Sequence, residues 1–159
     1  MDDTLLATYL NDHLAGATGG LELFRRAADA QRGGPAGREL ERITAEVAQD
    51  RESLRKIMST LGVAERAYKV WGGWALEKAA RFKPNGFLVR RSPLSDLVEL
   101  EGLVLGVHGK AAGFRALRAA ALPALDEAEL DRLVERAEHQ EAVLEELRQA
   151  AAARALPPR

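Results

Sequence analysis

Apolar residues recur along this chain at alternating steps of four and three over four separate stretches, the signature of helices that each bury one stripe. The first stretch begins near Asp2 or Asp3 and carries Leu6, Leu10, His13, Ala17, Gly20 and Phe24 in register, ending at about Gln31 before the Gly33-Gly34-Pro35 break. The second runs through Leu40, Ile43, Val47, Asp50, Leu54, Ile57 and Leu61, and Gly62 supplies its C-terminal cap. Ser92 as cap and Pro93 in the first turn open a third, which reads Leu94, Leu97, Glu101, Val104, His108 and Ala111 and extends to about Leu122. After Pro123 and Asp126 the fourth carries Leu130, Leu133, Ala137, Gln140, Leu144, Leu147 and Ala151. Pro157 and Pro158 cannot continue that helix, so residues 157–159 are expected to fray.

The joins between these stretches differ, and the difference predicts the topology. Helices one and two, and again three and four, are linked by a few residues, so each pair should form an antiparallel hairpin. Between helices two and three lie about thirty residues, beyond the two to eight usual in bundles. Within them, residues 65–82 can form a helix with an apolar stripe of Ala67, Tyr68, Trp71, Trp74, Ala75, Ala79 and Phe82, weakened by Gly72-Gly73. A crossover of this kind, residues 63–92, returns the chain to its starting end and makes helices two and three parallel neighbours. The expectation is one all-α domain over residues 1–156, a four-helix bundle of two hairpins.

Two hairpins joined by one long crossover resemble the ferritin-like superfamily. Di-iron members carry a Glu on each of two helices and a Glu-x-x-His pair on the other two. No Glu-x-x-His occurs here, helix two offers Asp50 without a histidine, and His139 lies opposite the fourth stripe, so the resemblance assigns no oxidase or ferroxidase activity. The segment Tyr9-Leu10-Asn11-Asp12-His13-Leu14-Ala15-Gly16 also resembles the opening of bacterial helical proteins, which adds no chemistry.

Composition narrows the chemistry further. The chain has 159 residues, enough for one core without staples. It has no cysteine, which removes disulfides, thiolate nucleophiles and sulfur-ligated metals. A formal net charge of −1 gives no global attraction to nucleic acid. The acidic Met1-Asp2-Asp3 start is unlike a secretory signal, and no apolar run approaches the roughly 20 residues of a membrane span, so a cytoplasmic location is expected.

The polar members of the stripes are the candidate chemistry. At about 1.5 Å per residue, Asp50, His108 and Gln140 are expected at one height in the bundle, with His13 about one turn away and Glu101 roughly two turns from His108 as an outer member. Imidazole and carboxylate donors suit zinc, iron or manganese, which makes His13, Asp50 and His108 candidate ligands and Glu101 and Gln140 outer ones. The competing reading is a hydrogen-bonded network that fixes helix register and needs no metal. His139, with Glu135 and Glu138, reads as part of a solvated face. Gly19-Gly20 reads as permitting close helix packing.

The crossover is the other candidate. It holds both tryptophans beside Tyr68, Phe82 and Phe87, and over residues 65–91 seven basic residues face two acidic ones. Tyr68, Trp71, Trp74 and Phe82 are therefore candidates for an interaction surface, with self-association as a homo-oligomer leading and nucleic acid weakest. The alternative is that the tryptophans pack down on helices two and three while the basic side chains stay wet.

Overall fold

The computed structural model describes residues 3–66 and 92–156. They form four α-helices: α1 (Asp3–Ala30), α2 (Gly37–Thr60), α3 (Pro93–Ala119) and α4 (Glu127–Ala155). The protein is an all-α four-helix bundle, and among the described residues no helix is long and apolar enough to cross a membrane.

Local chemistry sets the helix ends where the sequence places them. Gly33 takes a positive φ of 78° in the turn after α1. Gly62 does the same at φ 68° beyond α2, where the Val63 amide donates to the Met58 carbonyl and the Gly62 amide to that of Ser59. That pair of bonds closes the orphan carbonyls of a helix end. Ser92 Oγ accepts from the Ser95 amide ahead of Pro93, and Asp126 Oδ1 accepts from the Ala128 amide at 2.9 Å.

Side-chain pairings fix the helix directions. Arg51 donates to Thr18, His13 lies over Gly113, Leu23 meets Gly102, Arg136 approaches Gln49, and Arg118 pairs with Asp131. Each pair runs antiparallel, so α1 packs on α2 and on α3, and α4 packs on α3 and on α2. The parallel helices α2 and α3 therefore stand on a diagonal and are not neighbours, a correction to the expected arrangement that follows from α1 and α4 taking the places between them.

The stripes of α2 and α4 are buried as read from Leu40 to Ile57 (Leu40, Ile43, Val47, Asp50, Leu54 and Ile57) and over Leu130, Leu133, Ala137, Gln140, Leu144 and Ala151, while Leu61 and Leu147 are only partly covered. The stripe of α3 is not. It runs Leu97, Leu100, Leu103, Val107, Ala111, Phe114 and Leu117. Both versions contain Leu97 and Ala111, because steps of 3-3-4-4 cover the same fourteen positions as 4-3-4-3. The structure takes the version that buries leucines and leaves Glu101 and His108 in water, which avoids desolvating two ionisable groups. Leu94, read as a stripe member, is 53% exposed.

The apolar core falls into two clusters. One joins Leu21, Phe24, Leu40, Ile43, Val47, Leu100, Leu103, Val107 and Leu144 toward the α1–α2 turn. The other joins Leu10, Leu14, Leu54, Met58, Phe114, Leu117, Leu130 and Leu133 toward the α3–α4 turn. Asp50 lies between Val47 and Leu54 on α2, and Gln140 between Leu133 and Leu144 on α4, so the polar residues stand at the level where the core divides.

Candidate functional site: a closed charge cluster and an open groove

Asp50 is 1% exposed and Gln140 is fully buried. Around them three helices deliver a set of charges that close on one another. Lys110 reaches from α3 across the diagonal, and its Nζ donates to Asp50 Oδ2 and to Gln140 Oε1. Arg136 of α4 makes an ion pair through Nη2 with Asp50 Oδ1. The Gln140 amide is thereby oriented, its Nε2 donating to Glu46 Oε2 at 3.0 Å and to Asp50 Oδ2 at 3.3 Å. Glu46 also pairs with Arg42, so each charge of the cluster has an opposite partner or a polar one, which is the condition for burying any of them. Burial holds the Lys110 ammonium below its ordinary range, and Asp50 opposes that shift. The Nζ keeps the carboxylate of Asp50 and the amide oxygen of Gln140 as direct acceptors.

The expected layer of Asp50, His108 and Gln140 is thus half present. Asp50 and Gln140 meet in the core, but His108 has its side chain 62% exposed and bonds through Nδ1 to Glu141 at 3.0 Å. The one-residue difference in the α3 stripe turns it outward. Glu101 also faces solvent, 3.7 Å from Arg148. His139 is exposed, as the solvated-face reading has it. The ligand set His13, Asp50 and His108 is not brought together, and among the described residues no three His, Asp or Glu form a group that could hold a metal. The donors do not fit a metal for a chemical reason: both Asp50 oxygens already face cations, and a positively charged neighbourhood disfavours another.

Lys110, Arg136 and Glu46 escaped the sequence reading although each carried a signal. Lys110 follows Leu103 and Val107 at steps of four and three, Arg136 precedes Gln140 by four, and Glu46 precedes Asp50 by four. Asn11 was missed as well. It is 1% exposed, its Nδ2 donates to the Ala7 and Ala64 carbonyls, and its Oδ1 accepts from the Arg66 amide at 2.7 Å. It clips the chain that leaves α2 onto the first third of α1.

His13 belongs to a different feature, an apolar groove of about 510 Å³ between α1 and α3 that reaches down to Val47, Asp50 and Leu54 of α2. Its imidazole lies against Gly113, where a Cβ would come within 2.7 Å of the ring, and beside Tyr9 at a centroid distance of 4.5 Å. Burial pushes the His13 pKa below its ordinary 6.5, with Asp12 acting weakly the other way. Glycines widen the groove. A Cβ at Gly16 or Gly20 of α1, or at Gly106 or Gly109 of α3, would meet nothing within 4 Å. Gly20 therefore does not serve the close packing expected of Gly19-Gly20. Leu105, on the same wall, is 72% exposed. The aromatic candidates Tyr68, Trp71, Trp74 and Phe82 lie outside the described residues. No protein-family model, curated protein or solved structure matches the chain.

Two predictions follow from this geometry. Asp50→Ala strands the Lys110 ammonium in the core, and urea unfolding should show a loss of about 3–5 kcal/mol, whereas a loss under about 1 kcal/mol would mean the cluster is not buried as described. For His13 the folded protein resists protonation more than the unfolded chain does, so the unfolded state binds more protons as pH falls through 6.5. Stability from this group is complete above that pH and declines below it. The urea midpoint should drop between about pH 7.5 and pH 5.5, and drop less in His13→Gln; equal drops would remove His13 from the account.

Proposed function

We propose that the protein is a ferritin-like bundle that works by recognising an apolar, aromatic-bearing polypeptide segment in the α1/α3 groove, and not by a reaction in its core. The observation that supports this reading is the contrast between the two halves of the site. The ionisable groups of the core are occupied by one another, which leaves no free nucleophile, base or ligand position among them. The apolar space is in the groove instead, kept open by glycines that each weaken a helix interior by about 1 kcal/mol relative to alanine. A cost repeated on two facing helices is consistent with space held for an occupant. The exposed Leu105 and half-exposed Tyr9 supply edge contacts of the type that anchor helix-in-groove recognition.

The absence of native cysteine makes a direct test clean. Gly106→Cys puts a single thiol on the groove wall, where its Cβ has room, and Ala142→Cys puts one on the exposed face of α4 as a reference. If a polypeptide covers the groove, the Gly106→Cys thiol should react with a maleimide at least about tenfold more slowly than the reference, and mild urea should abolish the difference. Equal labelling rates in native buffer would show a bare groove and reject the reading.

A further inference from the structure

Glu101, His108 and Arg115, the exposed ionisable residues of α3, all turn toward α4, where they meet Arg148, Glu141 and Glu138. The face they leave reads Val98, Gly102, Leu105, Gly109, Ala112 and Ala116 at steps of four and three, uncharged and wholly or partly open to solvent. Leu94 extends it by a turn, and across the groove Leu5 and Tyr9 of α1 continue it. Among the described residues the large hydrophobic side chains left exposed are Leu5, Tyr9, Leu94, Leu105 and Leu156, so four of the five share the groove's face. Apolar side chains gathered on one face in this way mark an association surface.

The face complements itself. A two-fold axis perpendicular to α3 at the level of Val107 lays the helix antiparallel on its own copy, so that positions equally far from 107 oppose one another. Leu105 then falls against Gly109, Val98 against Ala116 and Ala112 against Gly102, a larger side chain on a smaller one each time. Charge fits the same direction. The acidic residues Asp96, Glu99 and Glu101 all precede the basic Lys110, Arg115 and Arg118, so antiparallel copies set acid against base where parallel copies would set like against like. Glu101 in particular comes within two residues, about 3 Å along the axis, of the level of Arg115 on the other copy. The extent is also sufficient. From Leu94 to Ala116 the face runs about 33 Å, and two helices side by side are about 20 Å across. That is on the order of 700 Å² per copy, close to the roughly 800 Å² that each partner gives to a stable interface.

Resting on the groove reading above, we infer that the polypeptide this face takes is a second copy of the chain, the two packing α3 on α3 about a two-fold axis at the level of Val107. Leu105 enters the space over Gly109 of the partner subunit, and the contact is made twice by symmetry. Tyr9, one turn beyond His13 and therefore beyond the level of Gly113, comes close to the level of Val98 of the partner subunit and supplies the aromatic contact at the end of its groove.

Sedimentation equilibrium of the full chain should give twice the chain mass at high micromolar concentration and approach the monomer on dilution. Leu105→Glu puts a charge at the centre of the contact, at a position exposed in the single bundle, and should weaken dimerisation at least about tenfold while far-ultraviolet circular dichroism keeps the helical signal. Ala142→Glu, on the exposed face of α4, should leave it unchanged. The register is read by a charge swap. Glu101→Lys alone and Arg115→Glu alone should each weaken self-association about fivefold, and mixing the two variants should restore a heterodimer in which both pairs are again opposite in sign. A chain that stays monomeric overturns the inference, as does a dimer indifferent to Leu105→Glu. A mixture no tighter than either charge variant alone overturns the antiparallel pairing. The groove reading fails separately, through the thiol rates at position 106: protection that falls on dilution together with the dimer supports both, and protection that persists in a monomer keeps the groove reading but overturns this occupant. Equal labelling rates at high concentration reject both.

Discussion

The carboxylate of Asp50 is the group around which the bundle is arranged. It sits at the level where the apolar core divides, and in a medium of low dielectric a lone carboxylate there would cost more than the domain can spare. Lys110 and Arg136 come from two other helices to neutralise it, Gln140 adds a second hydrogen bond to Oδ2, and Oδ1 faces the Arg136 guanidinium as an ion pair. The consequence is geometric. Lys110 can reach Asp50 only if α2 and α3 stand on a diagonal with their polar residues at one height, so the ion pair specifies the relative register of helices that do not pack directly. Slipping either helix by a turn would put an unpaired charge against Val47 and Leu54 or against Val107 and Phe114.

That closure also separates the buried charges from the groove. The charges that could have served as ligands or acid–base groups are spent on one another, and His13, a half-buried histidine, lies against Gly113 and Tyr9 on the side of the groove. The groove inherits the opposite character, apolar and open, because α1 and α3 place glycines where a well-packed pair would place alanine or leucine.

The fold was legible in the sequence to the extent that buried positions were uniquely phased. On α2 and α4 polar residues alternate with single apolar stripes, so Asp50 and Gln140 could be placed in the core from spacing alone. On α3 the run from Leu97 to Val107 is apolar on several faces, two stripes share Leu97 and Ala111, and the choice between them rests on the desolvation of Glu101 and His108, which spacing does not register. That ambiguity put His108 inside and hid Lys110. The partners of Asp50 were hard to see for a second reason: Arg136 and Glu46 enter from the stripe's flank and bury their stems while their charged ends reach inward. Gly20 was read by a rule for close packing, whereas a Cβ there, as at Gly16, Gly106 and Gly109, faces open space that no pattern along one helix can reveal; across the groove it is Gly113 that lies tight against a neighbouring helix.

The claim on which the rest depends is the direct, buried coupling of Asp50 to Lys110, and a double-mutant cycle measures it. Unfolding free energies of the parent, Asp50→Asn, Lys110→Met and the combined variant isolate their interaction from whatever each change does alone. The account predicts a coupling of at least about 1.5 kcal/mol, persisting in high salt, with the double variant more stable than Lys110→Met because the stranded carboxylate is gone. A coupling indistinguishable from zero, or one that salt removes, would place the two groups in water and contradict the register lock.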